Sequence, residues 1–370
     1  MAQEHNYIYY GTKCTSKEVE DFLHHAIEAN EKAEAEGRRK TPLCIWGQHG
    51  IGKTQLVEQI ATQRGYQWAY IAPAQFEEMG DLVGMPRVED SNDGSATTVF
   101  SAPDWVPREE GPGILLIDDV NRADDRILRG IMQLLQNFEL VSWTLPPKWH
   151  IVLTANPDGG DYSVTPMDFA MLTRMMHITM IFDVKRWAWW AEKNNVDPRG
   201  INFVLTYPET VTGDRTTPRT LVQFFESISS IEDLKANIGL VKMLGDSCLD
   251  PATVTSFISF VNNRLSRLIS PEEILDAADF QQDVYATIKD QVVGETTRVD
   301  VLSVICTRLV NHLTVSNLQI NDRQKQNLSD FILMDFLPND IRMNVLRDFA
   351  NGSNNSLKKI LHTPEVAKFF

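Results

Sequence analysis

The segment Gly47-Gln48-His49-Gly50-Ile51-Gly52-Lys53-Thr54 leaves this chain few folds to choose from. It fits G-x-x-x-x-G-K-[ST] and follows the short apolar run Leu43-Cys44-Ile45-Trp46. That order predicts a strand, a glycine loop and a helix, and so a sheet with helices on its faces. Gly47 and Gly52 let the backbone turn tightly, and its N–H groups then converge on phosphate oxygens at a helix N-terminus. The backbone from Gly47 through Gln48, His49, Gly50 and Ile51 to Gly52 is the expected cradle. Lys53 is placed to reach the β- and γ-phosphates, and the Thr54 hydroxyl to ligate Mg²⁺. The cofactors expected are therefore ATP and Mg²⁺.

The pattern around this loop supports the same fold. Short β-rich runs at 43–46, 67–72, 114–117, 150–154 and 177–182 alternate with helical segments at 53–64, 124–137 and 167–173. Such alternation predicts a parallel sheet covered on both faces. A helix over 15–36 precedes it, with Thr15 as cap and Glu18 at the spacing of a capping box. Two hairpins interrupt it. The first spans 86–101 around the polar turn Ser91-Asn92-Asp93-Gly94-Ser95, and the second spans 138–149. From about 184 onward the strand signal vanishes and helical runs follow one another.

At 370 residues the chain is too long for one ordinary core. The expected divisions are an N-terminal helical segment (1–39), an α/β nucleotide-binding domain (40–183), a helical lid (184–290) and a helical C-terminal extension (291–370). A formal charge of −15 disfavours general nucleic-acid binding. Cys14, Cys44, Cys248 and Cys306 are far apart, with no metal-ligand spacing, and read as free thiols in a reducing cytosol. The apolar windows are short and broken by charges such as Arg174 and Asp183, so no bilayer-spanning segment is expected. The expected location is the cytoplasm.

Two further strand ends carry chemistry. Ile114-Leu115-Leu116-Ile117 runs into Asp118 and Asp119. Successive side chains on a strand point apart, so the two acids take different tasks. Asp118 is placed to hold Mg²⁺, and Asp119 to polarise an attacking water. Ile151-Val152-Leu153-Thr154-Ala155 ends in Asn156-Pro157, and an amide at that end can bond a γ-phosphate or orient the water.

The order and spacing of these motifs resemble an AAA+ ATPase, with Walker A at 47–54, Walker B at 114–119 and a sensor-1-like Asn156. The resemblance implies two arginines. Arg174, in Met171-Leu172-Thr173-Arg174, resembles the arginine finger that meets the γ-phosphate held by a neighbouring subunit. Arg219, in Thr217-Pro218-Arg219-Thr220, resembles sensor 2 of the lid. More narrowly, the chain resembles the MoxR family. The residues that carry this are Asp81-Leu82-Val83-Gly84-Met85-Pro86, Pro103-Asp104-Trp105-Val106-Pro107, Asp119-Val120-Asn121-Arg122-Ala123, and Ala155-Asn156-Pro157 followed by Asp161-Tyr162. This resemblance spans about 40–225 and implies hairpins near a ring pore, a homo-oligomeric ring of hexamer type, a protein client and a partner with a von Willebrand A domain. One departure stands out: the family usually has Glu where this chain has Asp119, one methylene shorter. A carboxylate displaced by ~1 Å slows hydrolysis.

Three functions remain open on the sequence. The first is a ring ATPase that remodels a protein client, the second a nucleic-acid-linked motor on the same fold, and the third an ATP-binding scaffold with little turnover. The acidic balance weighs against the second, and Asp119 is the support for the third. In the helical remainder, the aromatic-rich run Val184–Ala191 reads as lid core.

Overall fold

A computed structural model describes residues 8–90, 96–158, 163–263, 265–294, 297–315, 319–351, 355–361, 366 and 368. The chain divides into two compact units, Met1–Phe182 and Asp183–Phe370.

The first unit is built on a six-stranded sheet. Its strands are β1 (Lys13–Cys14), β2 (Leu43–Trp46), β3 (Gln67–Ile71), β6 (Gly113–Ile117), β9 (Trp149–Ala155) and β10 (Met176–Met180). They lie in the order β1-β10-β2-β9-β6-β3, and every pairing is parallel. The helices are α1 (Ser16–Ala35), α2 (Lys53–Arg64), α3 (Met79–Val83), α4 (Asp125–Asn137) and α5 (Phe169–Leu172). β2, β6 and β9 are buried along their whole lengths, which is why they read as unbroken apolar runs. Alternate residues serve opposite faces. Cys44, Trp46, Leu115, Ile117, Leu153 and Ala155 join one core with Ile127, Leu128, Ile131 and Leu134 of α4. Leu43, Ile45, Ile114, Leu116 and Val152 join the other with Val57, Ile60 and Ala61 of α2 and with Val19, Leu23, Ala26 and Ile27 of α1.

The expected alternating domain is thus present, with refinements. α1 carries the expected Thr15–Glu18 capping box, and it packs into the second core, inside the same unit as the sheet. The two-residue β1, paired to β10, adds an edge strand that the sequence does not announce. The first hairpin pairs β4 (Met85–Asp90) with β5 (Ala96–Ser101), Met85 opposite Ser101; its turn, 91–95, lies outside the described residues. The second is smaller than expected. Only β7 (Glu139–Leu140) and β8 (Trp143–Thr144) pair.

The second unit is helical: α6 (Val184–Lys193), α7 (Pro198–Thr206), α8 (Pro218–Ile228), α9 (Ile238–Cys248), α10 (Pro251–Asn262), α11 (Pro271–Asp276), α12 (Ala286–Val292), α13 (Val299–Val315), α14 (Asp322–Ile332), α15 (Asn339–Asn351) and α16 (Asn355–Ile360). Its centre is aromatic. Phe203 meets Phe257 and Phe260 edge-on, with centroids 5.1 and 5.5 Å away, and Phe224 meets Phe257 at 4.9 Å. Trp187, from the aromatic run of α6, is buried with its ring 6.4 Å from that of Phe225. Inside this unit, Arg308 of α13 reaches Glu192 of α6 at 3.2 Å and Asn202 of α7 at 3.3 Å. No described helix is long and apolar enough to cross a membrane.

Candidate nucleotide site

In an open parallel sheet, ligands bind beyond the carboxyl ends of the strands. Three chemistry-bearing segments reach that edge here. The glycine loop leaves β2, Asp118 leaves β6 and Asn156 leaves β9, on three adjacent strands.

The loop has the shape its glycines require. A Cβ on Gly47 would lie 2.6 Å from the Met180 carbonyl oxygen and 2.8 Å from Ile51 Cδ1, so no side chain fits there. Gly52 caps α2 at φ +95° and supplies no side-chain cap, which leaves the first-turn N–H groups of α2 without one. Ile51 anchors the loop by packing on the α2 face of the sheet. Lys53 is buried. Its ammonium donates to the carbonyls of Gly47 (2.7 Å) and Gln48 (3.0 Å) and to Asn156 Oδ1 (3.3 Å).

The acids are held by hydroxyls. Asp118 Oδ1 accepts from Thr54 Oγ1 (2.8 Å) and from Thr154 Oγ1 (2.6 Å), while Tyr70 donates to Oδ2 (3.1 Å). Burial and the negative charge of Asp118 push the Tyr70 hydroxyl above its ordinary pKa, so it stays protonated and able to donate. Asp119 stands in the left-handed backbone region (φ 47°, ψ 46°), which an L-residue adopts at a cost of roughly 1 kcal/mol. Its carboxylate meets Arg122 Nε at 3.2 Å. The Asn121 side chain and the Asn156 backbone bond reciprocally, Nδ2 to O at 2.8 Å and N to Oδ1 at 3.0 Å. Asn156 is fully buried, and its Nδ2 has no hydrogen-bond partner.

These residues fit a nucleoside triphosphate with its divalent cation. The uncapped N-terminus of α2 and the buried ammonium suit phosphate oxygens. An unpaired buried donor such as Asn156 Nδ2 costs about 1–3 kcal/mol, and a ligand oxygen would recover it. Thr54 and Asp118, already in contact, supply hard oxygen donors of the kind Mg²⁺ takes.

The structure brings Gly47 to Thr54, Asp118, Asp119 and Asn156 together. It places Arg174 elsewhere. Arg174 precedes β10, where Met176 lies opposite Leu43 at the start of β2, whereas Gly47 follows the end of β2. Four strand residues at ~3.3 Å each put at least about 13 Å between the two levels. The Arg174 guanidinium donates to the Ala170 carbonyl and, through Nε, to Gln136 Oε1 (3.2 Å) in the last turn of α4. Arg174 therefore sits at the amino edge of the sheet, opposite its own phosphate loop. Arg219 lies exposed in the first turn of α8 in the helical unit. Asp161 and Tyr162 lie outside the described residues.

Two site residues escape motif reading. Thr154 gave a signal, a hydroxyl inside the apolar strand Ile151–Ala155. Tyr70 gave none, since an aromatic residue in a short β-rich run reads as an ordinary strand residue.

Residues 42–175 match a family model described as an AAA domain of the dynein-related subfamily. No curated protein matches the chain. Among solved structures, RuvB of Thermotoga maritima, described as a Holliday junction branch migration motor, is similar to it at 15% identity with a TM-score of 0.39; 70% of this chain and 74% of that one are covered. A lysine-to-arginine mutant of the same protein gives 15% identity over the same shares, with a TM-score of 0.41. Likeness of that strength carries no argument about activity. The matched segment holds the phosphate loop, both acids and Asn156, and its parallel sheet and glycine loop have the fold of a P-loop AAA+ core.

Proposed function

We propose that this chain is a ring-forming ATPase that hydrolyses ATP at subunit interfaces and uses the cycle to remodel a protein client in the cytoplasm. The observation that carries this is the position of Arg174, at the edge of the sheet away from its own phosphate loop. A cation there serves a phosphoryl group only on a second copy, and charge developing on that group must be met by cations. In this reading Lys53 and the α2 N-terminus neutralise the phosphates, Thr54 and Asp118 hold Mg²⁺, Asp119 and Asn156 orient the water, and Arg219 takes the sensor-2 role that the resemblance implies. Mg²⁺ supplies charge neutralisation on the phosphate oxygens. The resemblance to MoxR proteins extends the proposal to a hexamer, with the β4–β5 and β7–β8 hairpins near its pore and a von Willebrand A domain protein as partner.

The test is the hydrolysis rate against protein concentration, for wild type and for Arg174→Ala. Specific activity should rise with concentration and fall by at least about 100-fold in Arg174→Ala, with ATP binding retained. Activity independent of concentration and insensitive to Arg174→Ala would overturn the ring. A second reading has one observation behind it. The shorter carboxylate of Asp119 is drawn to Arg122. Binding of ATP without hydrolysis at any concentration would make the chain an ATP-gated scaffold.

A further inference from the structure

We propose that Thr154 is a positioning residue that sets both carboxylates of the neighbouring strand, Asp118 and Asp119, through one hydroxyl. The inference rests on the ATPase reading above and deepens it.

The register creates the opportunity. β6 and β9 are adjacent and parallel, with Ile117 opposite Leu153, so Asp118 and Thr154 follow side by side at the strand ends. Thr154 is fully buried in a strand whose other members, His150 apart, are apolar, a position that valine would fill with nearly the same volume. A buried hydroxyl costs free energy unless it is hydrogen-bonded. Here it makes two bonds, each with a different acid. It donates to Asp118 Oδ1 at 2.6 Å and accepts from the Asp119 N–H at 2.8 Å.

Each bond has a distinct effect. The bond to Asp118 fixes the carboxylate rotamer with a donor independent of Thr54, whose hydroxyl shares the same oxygen. The bond from the Asp119 N–H satisfies a backbone donor in the left-handed turn, where no ladder partner takes it. The turn that aims the Asp119 side chain is therefore held from the strand carrying Asn156. The backbone has a second tie between the same segments, the reciprocal Asn121–Asn156 bonds. Removing the Thr154 hydroxyl should thus release the acids without unravelling the turn.

Thr154→Val and Thr154→Ser in the full chain test this by two readouts, kcat and KM for ATP, and affinity for a fluorescent ATP analogue with Mg²⁺ and with EDTA. The valine variant should lose at least about tenfold in kcat, since misplacing a catalytic group by an ångström is that costly. Its affinity advantage in Mg²⁺ over EDTA should shrink, with the EDTA affinity unchanged. Serine should restore both to within about threefold, because it keeps the hydroxyl that makes both bonds. Valine equal to wild type in both readouts, or serine as impaired as valine, would overturn the proposal while leaving the ATPase reading in place. A wild-type chain that binds no ATP would remove that reading and this inference together. If wild type binds without turnover, the Mg²⁺ comparison alone decides.

Discussion

Each unit holds a cluster of buried polar groups, and the two clusters are built differently. In the α/β unit one cluster lies where strands end: Lys53, Thr154 and Asn156 converge past the carboxyl edge of the sheet, with Asn156 Nδ2 unpaired. In the helical unit one such cluster lies on helix faces, where Arg308 of α13 meets Glu192 in the last turn of α6 and Asn202 within α7. Strand ends release the backbone from its ladder, so side chains there can exchange protein partners for a ligand. Groups on packed helix faces have less of that freedom, and an ion pair there fixes how the helices sit against each other. In these two clusters, the polar groups at the strand ends suit a ligand and those on the helix faces suit packing.

The largest test of this contrast is Arg308→Met. It leaves the Glu192 carboxylate buried and unpaired, and should cost about 3–5 kcal/mol of stability in chemical denaturation. The double variant Arg308→Met with Glu192→Leu should recover most of that loss, because Arg308 Nε and Glu192 Oε2 are already without partners in the pair. A double variant as unstable as the single one would mean that the pair stabilises the helices by more than packing can replace.

A second test lies in the α/β unit but away from the strand ends. His150 is buried in β9 under the Tyr66 ring, with no hydrogen-bond partner on either nitrogen and Glu31 Oε1 4.0 Å from Nε2. Burial, reinforced by the positive charges of Lys40 and Arg64 and opposed by Glu31 and Glu34, lowers its pKa to about 4. The unfolded chain protonates this histidine near 6.5 and the folded one only near 4. The folded state is therefore favoured above pH 6.5 and loses roughly 3 kcal/mol as pH falls to 4. His150→Phe should flatten the pH dependence of the melting temperature over that window. An unchanged slope would place the acid sensitivity elsewhere.

The smallest expected effect sharpens the site itself. Asp119→Glu extends the second acid by one methylene and should raise kcat by up to about tenfold, close to 1.4 kcal/mol. Unchanged or lower turnover would show that Asp119 suits this turn.

The sequence carried the parts of this site that depend on local order. The glycine loop, Asp118 and Asn156 each follow an apolar run directly, and a strand followed by a turn places a side chain at the sheet edge whatever lies far away in the chain. The partners of those residues depend on register between strands. Thr154 meets Asp118 because β9 lies beside β6, and Tyr70 because β3 lies on the other side. No spacing along the chain encodes that adjacency. β1 was hidden because two residues have no period, and β7–β8 is shorter than expected because Val141 takes a positive φ that ends the pairing at once. The role of α1 was equally hidden. Its apolar stripe announces that it packs, and only the fold says that it packs beside α2 and against β10 and β1.

Gly47 has a consequence for how this chain can change over generations. A Cβ there would press into the Met180 carbonyl, which belongs to the backbone of a core strand and has no room to retreat. Every single-base change in a glycine codon that alters the residue introduces a Cβ or a stop. The position therefore has no neutral neighbours, and a lineage that keeps this loop keeps glycine at 47 or loses the loop in one step.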